Sequence, residues 1–428
     1  MKLFASRDQL EMTELHAVID QIADQQRLLT DFQVEFVQVL QHMRGRAEAQ
    51  RPGQAGPAGG AAMLAEDAGP LPLADELQVH LFPDYSVTNP YQALIRAAMP
   101  DDGCMSAGTI DQALFALKAE KGRRKHVFHL HWTNTILGNT ADRMAVEAMA
   151  DAFIVKLEAF RNLGGAVVWT IHNTLSHEHR HPDLEKTLLS RIAATADRIH
   201  LHSPGALEIV SREYPLPADK VVILPHPNYV GVYQNFASEA TARTRLRIAE
   251  DETVFAFIGM LRPYKGIDQL LESFRLIRRQ DRRARLIIAG EPMPPYGRGT
   301  VQQMVAGADG VLVIERRLQD GELQWLFNAS DFVVTPYHRV LTSGSVLNAL
   351  SFARPVIVPD IGVLPETVRD GVNGFVYASD DAAGLSQAMQ RALEMPGEMR
   401  LAMRQRALDS VHGLTWRRLA EGLYGGLV

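Results

Sequence analysis

Short apolar runs alternate with helix-length amphipathic stretches twice over, first across residues 78–224 and again across 253–394. Strand, helix, strand in repetition is the pattern of a parallel sheet covered on both faces, because parallel neighbours need a crossover long enough to hold a helix. The first series predicts strands at 78–82, 126–131, 166–171, 197–202 and 221–224, with helices near 90–98, 109–120, 141–162 and 183–195. The second predicts strands near 253–258, 284–289, 311–314, 331–335 and 355–358, with helices near 266–278, 320–328, 344–353 and 382–394. The fold class is therefore α/β, with two doubly wound Rossmann-like units at 76–235 and 236–428. A length of 428 residues suits two such cores and an appendage. Ligands of such sheets sit beyond the carboxyl ends of the strands, so the cleft between the units is the expected site.

The appendage is a different kind of sequence. Leu15, Val18, Ile22, Leu29, Phe32, Phe36, Val39 and Met43 follow a three-and-four spacing interrupted by Gln25, a heptad seam that predicts an amphipathic coiled-coil helix over 1–45. Self-association into a homo-oligomer is the first expectation for such a stripe; docking on the same chain is the second, and binding a membrane or another partner the third. Residues 46–75 begin R-P-G-Q-A-G-P-A-G-G-A-A and read as a flexible linker.

A net charge of −6 argues against a nucleic-acid binder. Cys104 is the only cysteine, which rules out an intrachain disulfide or a cysteine zinc cluster and fits a cytoplasmic location. The amino terminus lacks the pattern of a secretory signal, and no stretch reaches the length of a spanning helix, so any membrane contact is expected to be peripheral, at the inner face. The basic clusters Arg123-Arg124-Lys125 and Arg278-Arg279 with Arg282-Arg283 read first as solvated helix ends and second as contacts for anionic lipid. His177, Glu178, His179 and His181 lack a helical ligand frame, and no metal site is expected there.

Chemistry concentrates in three loops of the second unit. Ile258 to Phe274 read I-G-M-L-R-P-Y-K-G-I-D-Q-L-L-E-S-F: a strand ends at Gly259, and Arg262 and Lys265 follow in the loop and at the helix start, where free N–H groups and the helix dipole also favour an anion. In the second loop, Ser343 is a candidate N-cap, Gly344 permits close backbone approach, and Ser345 follows. Alone, S-G-S would be a capped helix with nothing bound; at the same sheet edge as Arg262 and Lys265 it completes a diphosphate cradle. The third loop carries Glu366, either a support for a helix start or a hydrogen-bonding partner for a ribose or sugar hydroxyl. In the first unit, Asp84 and Tyr85, His131 and Trp132, and His172 and Asn173 fall at the ends of three predicted strands. One strand-end histidine is ordinarily structural, whereas three polar sites on one edge point to an acceptor-binding wall. Asp84 is placed where a general base could reach an acceptor hydroxyl.

The order of G-x-L-x-P-x-K-G, a small-residue helix-start loop, A-L-S-F-A-R-P-V-I-V and G-V-L-P-E-x-V-x-D-G-x-N-G-F resembles glycosyltransferase family 4 and its relatives of GT-B fold. The match runs over roughly 78–428 and is strongest over 253–377. The resemblance implies a nucleoside-diphosphate sugar as co-substrate and no other cofactor. It also implies no divalent metal, and the chain has no D-x-D motif. By the same likeness Arg262 and Lys265 would neutralise the donor diphosphate, Ser343 to Ser345 would bind phosphate through backbone N–H groups, Glu366 would contact the nucleoside, and His172 would face the donor sugar. The family's two glutamates, eight positions apart, fall at Val340 and Asn348 here, which leaves retention or inversion open.

The function expected is sugar transfer from a nucleotide sugar to a hydroxyl of a saccharide or lipid-linked saccharide acceptor, in surface polysaccharide or glycolipid synthesis. Two alternatives are a sugar-nucleotide epimerase of the same fold and a non-catalytic oligomeric scaffold. Contacts to the nucleobase are expected near Glu315 to Leu318, made by backbone.

Overall fold

The computed structural model describes residues 76–87, 89–100, 104–138, 140–176 and 180–427. The coiled-coil and linker expectations for 1–45 and 46–75, and most of the histidine-rich loop, lie outside these residues. The described residues all belong to one unit, 62–428.

The first sheet is built from β1 (Leu77–Phe82), β2 (Met105–Ala107), β3 (Lys125–Leu130), β4 (Ala166–Thr170), β5 (Arg198–Leu201) and β6 (Val221–Ile223). All pairings are parallel, in the order β2-β1-β3-β4-β5-β6. Every residue of β4, A-V-V-W-T, is buried, as a central strand covered on both faces requires. Its covering helices are α1 (Tyr91–Ala97), α2 (Ile110–Glu120), α3 (Arg143–Asn162), α4 (Pro182–Thr195) and α5 (Pro204–Ser211). Thr109 and Gln112 start α2 with reciprocal capping bonds, and the Asp142 carboxylate accepts from Met144 and Ala145 N–H at the start of α3.

The second sheet holds β7 (Thr253–Ile258), β8 (Ala284–Gly290), β9 (Val311–Glu315), β10 (Phe332–Val334), β11 (Val356–Pro359) and β12 (Gly374–Tyr377), again all parallel, in the order β12-β11-β10-β7-β8-β9. Around it lie α6 (Glu239–Leu246), α7 (Ile267–Gln280), α8 (Thr300–Met304), α9 (Asp320–Ala329), α10 (Gly344–Ser351), α11 (Leu364–Thr367), α12 (Gly384–Leu393) and α13 (Gly397–His412).

The last helix, α14 (Trp416–Tyr424), does not stay with this lobe, so the sequence boundary of 236–428 is corrected there. Its Leu419, Ala420, Leu423 and Tyr424 join a core with Leu77, Val79, Tyr91, Val127 and Val168 of the first lobe. Arg198 donates to the carbonyls of Gly422, Leu423 and Gly425 at 3.1, 2.7 and 3.3 Å, satisfying the exposed acceptors of that helix end.

Candidate active site

Each sheet has one point where the chain reverses its direction of travel across the strands. In the first it falls between β1 and β3, in the second between β7 and β10. Loops leaving such neighbours diverge to opposite faces and open a crevice. The loops in question are those the sequence singled out: Asp84 and Tyr85 follow β1, His131 and Trp132 follow β3, Gly259 to Lys265 follow β7, and Thr335 to Ser343 follow β10.

Both edges face one cleft of about 1040 Å³. Of the expected site residues, Tyr85, His131, Trp132, His172 and Asn173 line it from the first lobe, and Gly259, Arg262 and Ser345 from the second. Asp84, Lys265, Ser343, Gly344 and Glu366 are not among the lining residues.

Asp84 is exposed, and its carboxylate accepts from the Ser86 hydroxyl at 2.6 Å and the Ser86 N–H at 3.0 Å. Those bonds hold its pKa below the ordinary value. Glu366 points at the other lobe: its Oε1 accepts from Gly205 N–H, 3.0 Å away in the first turn of α5. A Cβ on Gly205 would lie 2.0 Å from that oxygen. Leu341 and Val363, from the second lobe's loops, pack into the first lobe's core beside this contact.

The cradle loops touch through backbone and side chain together. A Cβ on Gly266 would lie 1.8 Å from the Pro336 carbonyl oxygen, and His338 N–H donates to Tyr264 C=O at 2.9 Å. A Cβ on Gly290 would meet the Gly259 carbonyl oxygen at 1.7 Å, and one on Gly259 would meet Ser345 Oγ at 3.3 Å. Ser343 caps α10, its Oγ accepting from Val346 N–H at 3.3 Å. The Lys265 ammonium sits 4.0 Å from the ring centre of Tyr337, a fully enclosed residue that sequence reasoning passed over although it lies within the second loop.

Opposite stands a wall of rings. Trp132 stacks on His172 at 4.4 Å and 14°, Tyr85 meets Trp132 at 5.1 Å, and His131 Nδ1 bonds His172 Nε2 at 3.2 Å. Burial, then neighbouring histidines, push His172 and His131 well below the usual imidazole range, so both are neutral near pH 7. Tyr91, also missed from sequence, packs edge-on against His131, His172, His202, His226 and Trp416.

Behind the wall a chain of hydrogen bonds has a single direction. His200 Nε2 bonds the Leu224 carbonyl at 2.8 Å, and a carbonyl can only accept, so that nitrogen carries the proton. Burial lowers His200 to about 4 and His129 well below its ordinary value, so both are neutral near pH 7. With both rings neutral, His200 Nδ1 accepts from the Thr170 hydroxyl at 3.1 Å, Thr170 Oγ1 from His129 Nε2 at 2.8 Å, and His129 Nδ1 from the Tyr424 hydroxyl at 2.6 Å.

At the positions of the family glutamates, Val340 packs on the second lobe's core and Asn348 lines the cleft, its buried Oδ1 without a hydrogen-bond partner among the described residues. Arg317 and Leu318, in the segment expected near the nucleobase, line the cleft, and Arg317 donates to the Val87 carbonyl across it at 2.9 Å. Glu315 instead accepts from Val301 and Gln302 N–H at the start of α8. Among the described residues no cluster of three or more His, Cys, Asp or Glu could hold a metal ion, and no helix is long and apolar enough to cross a membrane.

Residues 252–395 match the family model described as Glycosyl transferases group 1. The chain is 28% identical over 343 residues to a GDP-mannose:glycolipid 4-beta-D-mannosyltransferase of Xanthomonas campestris, covering 78% of this chain and 89% of that protein. It is 28% identical over 242 residues to a D-inositol 3-phosphate glycosyltransferase of Actinosynnema mirum, covering 54% and 57%. Among solved structures, Anabaena HepE in complex with UDP-glucose superposes with a TM-score of 0.60 at 14% identity, over 80% of this chain and 97% of that one. Sucrose-phosphate synthase from Thermosynechococcus elongatus gives 0.55 at 18% identity, over 73% and 91%.

Proposed function

Because the chain is a glycosyltransferase of GT-B fold, we propose that it transfers a sugar from a nucleoside-diphosphate donor to a hydroxyl of a saccharide or glycolipid acceptor. The observation that carries this reading is the meeting of two switch points in one cleft, with Arg262 and Ser345 at the start of α10 on one side and a wall of rings on the other. The Xanthomonas relative, named for a glycolipid acceptor, supports the acceptor class.

In this reading the diphosphate lies between Arg262, Lys265 and the start of α10, and the flat rings of Tyr85 and Trp132 receive the apolar face of a sugar. The acceptor oxygen bonds to the anomeric carbon as the bond from that carbon to the diphosphate oxygen breaks. The departing electron pair is stabilised by fixed cations and backbone N–H groups, without a divalent metal. The acceptor proton passes to neutral His172, which lines the cleft and replaces Asp84 in the base's role because the Asp84 carboxylate is committed to the Ser86 hydroxyl and N–H. Asn348 Oδ1 then receives a donor hydroxyl.

Release of nucleoside diphosphate from GDP-mannose or UDP-glucose, followed with and without extracted glycolipid and with chelator present, tests the reading. Transfer that needs the acceptor and survives the chelator supports it. Turnover without acceptor would point to an epimerase or hydrolase, and no binding of either nucleotide sugar by calorimetry to a scaffold. We propose further that residues 1–45 hold copies of the chain together and that membrane contact is peripheral, on the cytoplasmic side. Light scattering of 46–428 beside the whole chain reports the first, and an unchanged mass per particle would refute it.

A further inference from the structure

Tyr337 is 2% exposed and lies in the loop after β10, between the two halves of the cradle. Its ring carries the Lys265 ammonium at 4.0 Å from the centroid, close enough for a cation–π attraction. Its hydroxyl lies 3.1 Å from Ser343 Oγ, the same oxygen that caps α10. One buried side chain therefore touches the cation of the first loop and the N-cap of the second. Burial alone would push the phenol's pKa up, but Lys265 and bonds with Ser343, Ser345 and Lys265 bring it below its ordinary value. Backbone contacts pin the same two loops on either side: Gly266 against Pro336, and His338 to Tyr264.

We propose that Tyr337 is the positioning residue of the diphosphate site, fixing the Lys265 ammonium and the start of α10 in register so that both reach one diphosphate. This deepens the donor reading above and rests on it. Without the ring, Lys265 has a long stem and several rotamers, and part of its attraction for phosphate is lost to ordering the side chain on binding. Loss of the hydroxyl alone removes the tie to Ser343 and leaves the ring in place.

The test uses the full chain and its variants Tyr337→Leu and Tyr337→Phe, with GDP, UDP, guanosine and uridine as probes in calorimetry and donor and acceptor KM in the transfer assay. Tyr337→Leu is expected to weaken the preferred nucleoside diphosphate about tenfold. The matching nucleoside and the acceptor KM should change by less than about twofold, because neither meets the phosphate loops. Tyr337→Phe should recover most of the loss, because it restores the ring beneath Lys265. A wild-type chain that binds diphosphate no better than nucleoside overturns the donor reading itself. A wild-type preference that persists undiminished in Tyr337→Leu overturns the assignment of Tyr337 alone. Should Tyr337→Leu fail to fold, Tyr337→Phe still decides: loss of diphosphate affinity as large as for Lys265→Ala would show that the ring has no part in it.

Discussion

Arg262 and Lys265 stand three positions apart and occupy different surroundings. Arg262 lines the cleft directly, while Lys265 lies back over a tyrosine ring. A cation that meets the leaving diphosphate acts most where negative charge grows, in the transition state. Arg262→Ala is therefore expected to lower kcat/KM by roughly 10²–10³-fold, read from initial rates at limiting donor. Asp84→Asn gives the contrasting case: with its carboxylate bound to Ser86, kcat/KM should stay within about a factor of two. A collapse of activity in Asp84→Asn would return that residue to the base's role and take it from His172.

Between elements, glycines allow close backbone approach and a hydrogen-bonded relay ties α14 to the first sheet. Gly266 begins α7 with φ +70° and leaves no room for a side chain against Pro336. Gly266→Ala should force the cradle loops apart and weaken nucleoside diphosphate binding about tenfold or more, measured by calorimetry; unchanged affinity would mean that the loops do not act as one site. Tyr424→Phe removes the hydroxyl that opens the relay through His129, Thr170 and His200 and leaves a buried ring nitrogen unsatisfied. The expected cost is about 1–3 kcal/mol, read from the urea midpoint. Strand and helix alternation made most elements of both lobes legible in the sequence, because strands such as β4 and β7 are buried on both faces and read as unbroken apolar runs. The three-residue β2 and the weakly patterned α13, which buries only Met403, Ala407 and Val411, carried no such signal. In the site, glycines and cations adjacent to strand ends were legible for the same reason. Tyr337 and Tyr91 were not, since an aromatic residue in an apolar stretch looks like core until its neighbours are known. For Glu366 the sequence left helix-start support and a hydroxyl partner both open, because it does not show that α5 of the other lobe lies within reach of the carboxylate.

Across the whole molecule, the return of α14 to the first lobe and the histidines beneath the cleft make folding depend on pH. His129, His131, His172, His200, His202 and His226 all have pKa values lowered first by burial, with His200 and His226 at about 4. In the unfolded chain each would titrate near 6.5. As pH falls below 6.5 the unfolded state gains protons that the folded state refuses, so the folded state loses ground until the folded pKa is reached; well above 6.5 both states are neutral and the effect vanishes. Each group contributes up to about 1.4 kcal/mol per pH unit within that window. The relay couples these groups, because protonating either His129 or His200 reverses donor and acceptor roles along the bonds to Thr170 and Tyr424. Urea midpoints measured at pH 7.5, 6.5, 5.5 and 4.5 should fall modestly between the first two, where the unfolded imidazoles begin to take up protons, and more steeply below 6.5, with a slope that exceeds one proton per molecule. A midpoint that stays level down to pH 4.5 would mean that the imidazoles are hydrated or charged in the folded protein, and would remove the neutral His172 on which the proposed proton transfer relies.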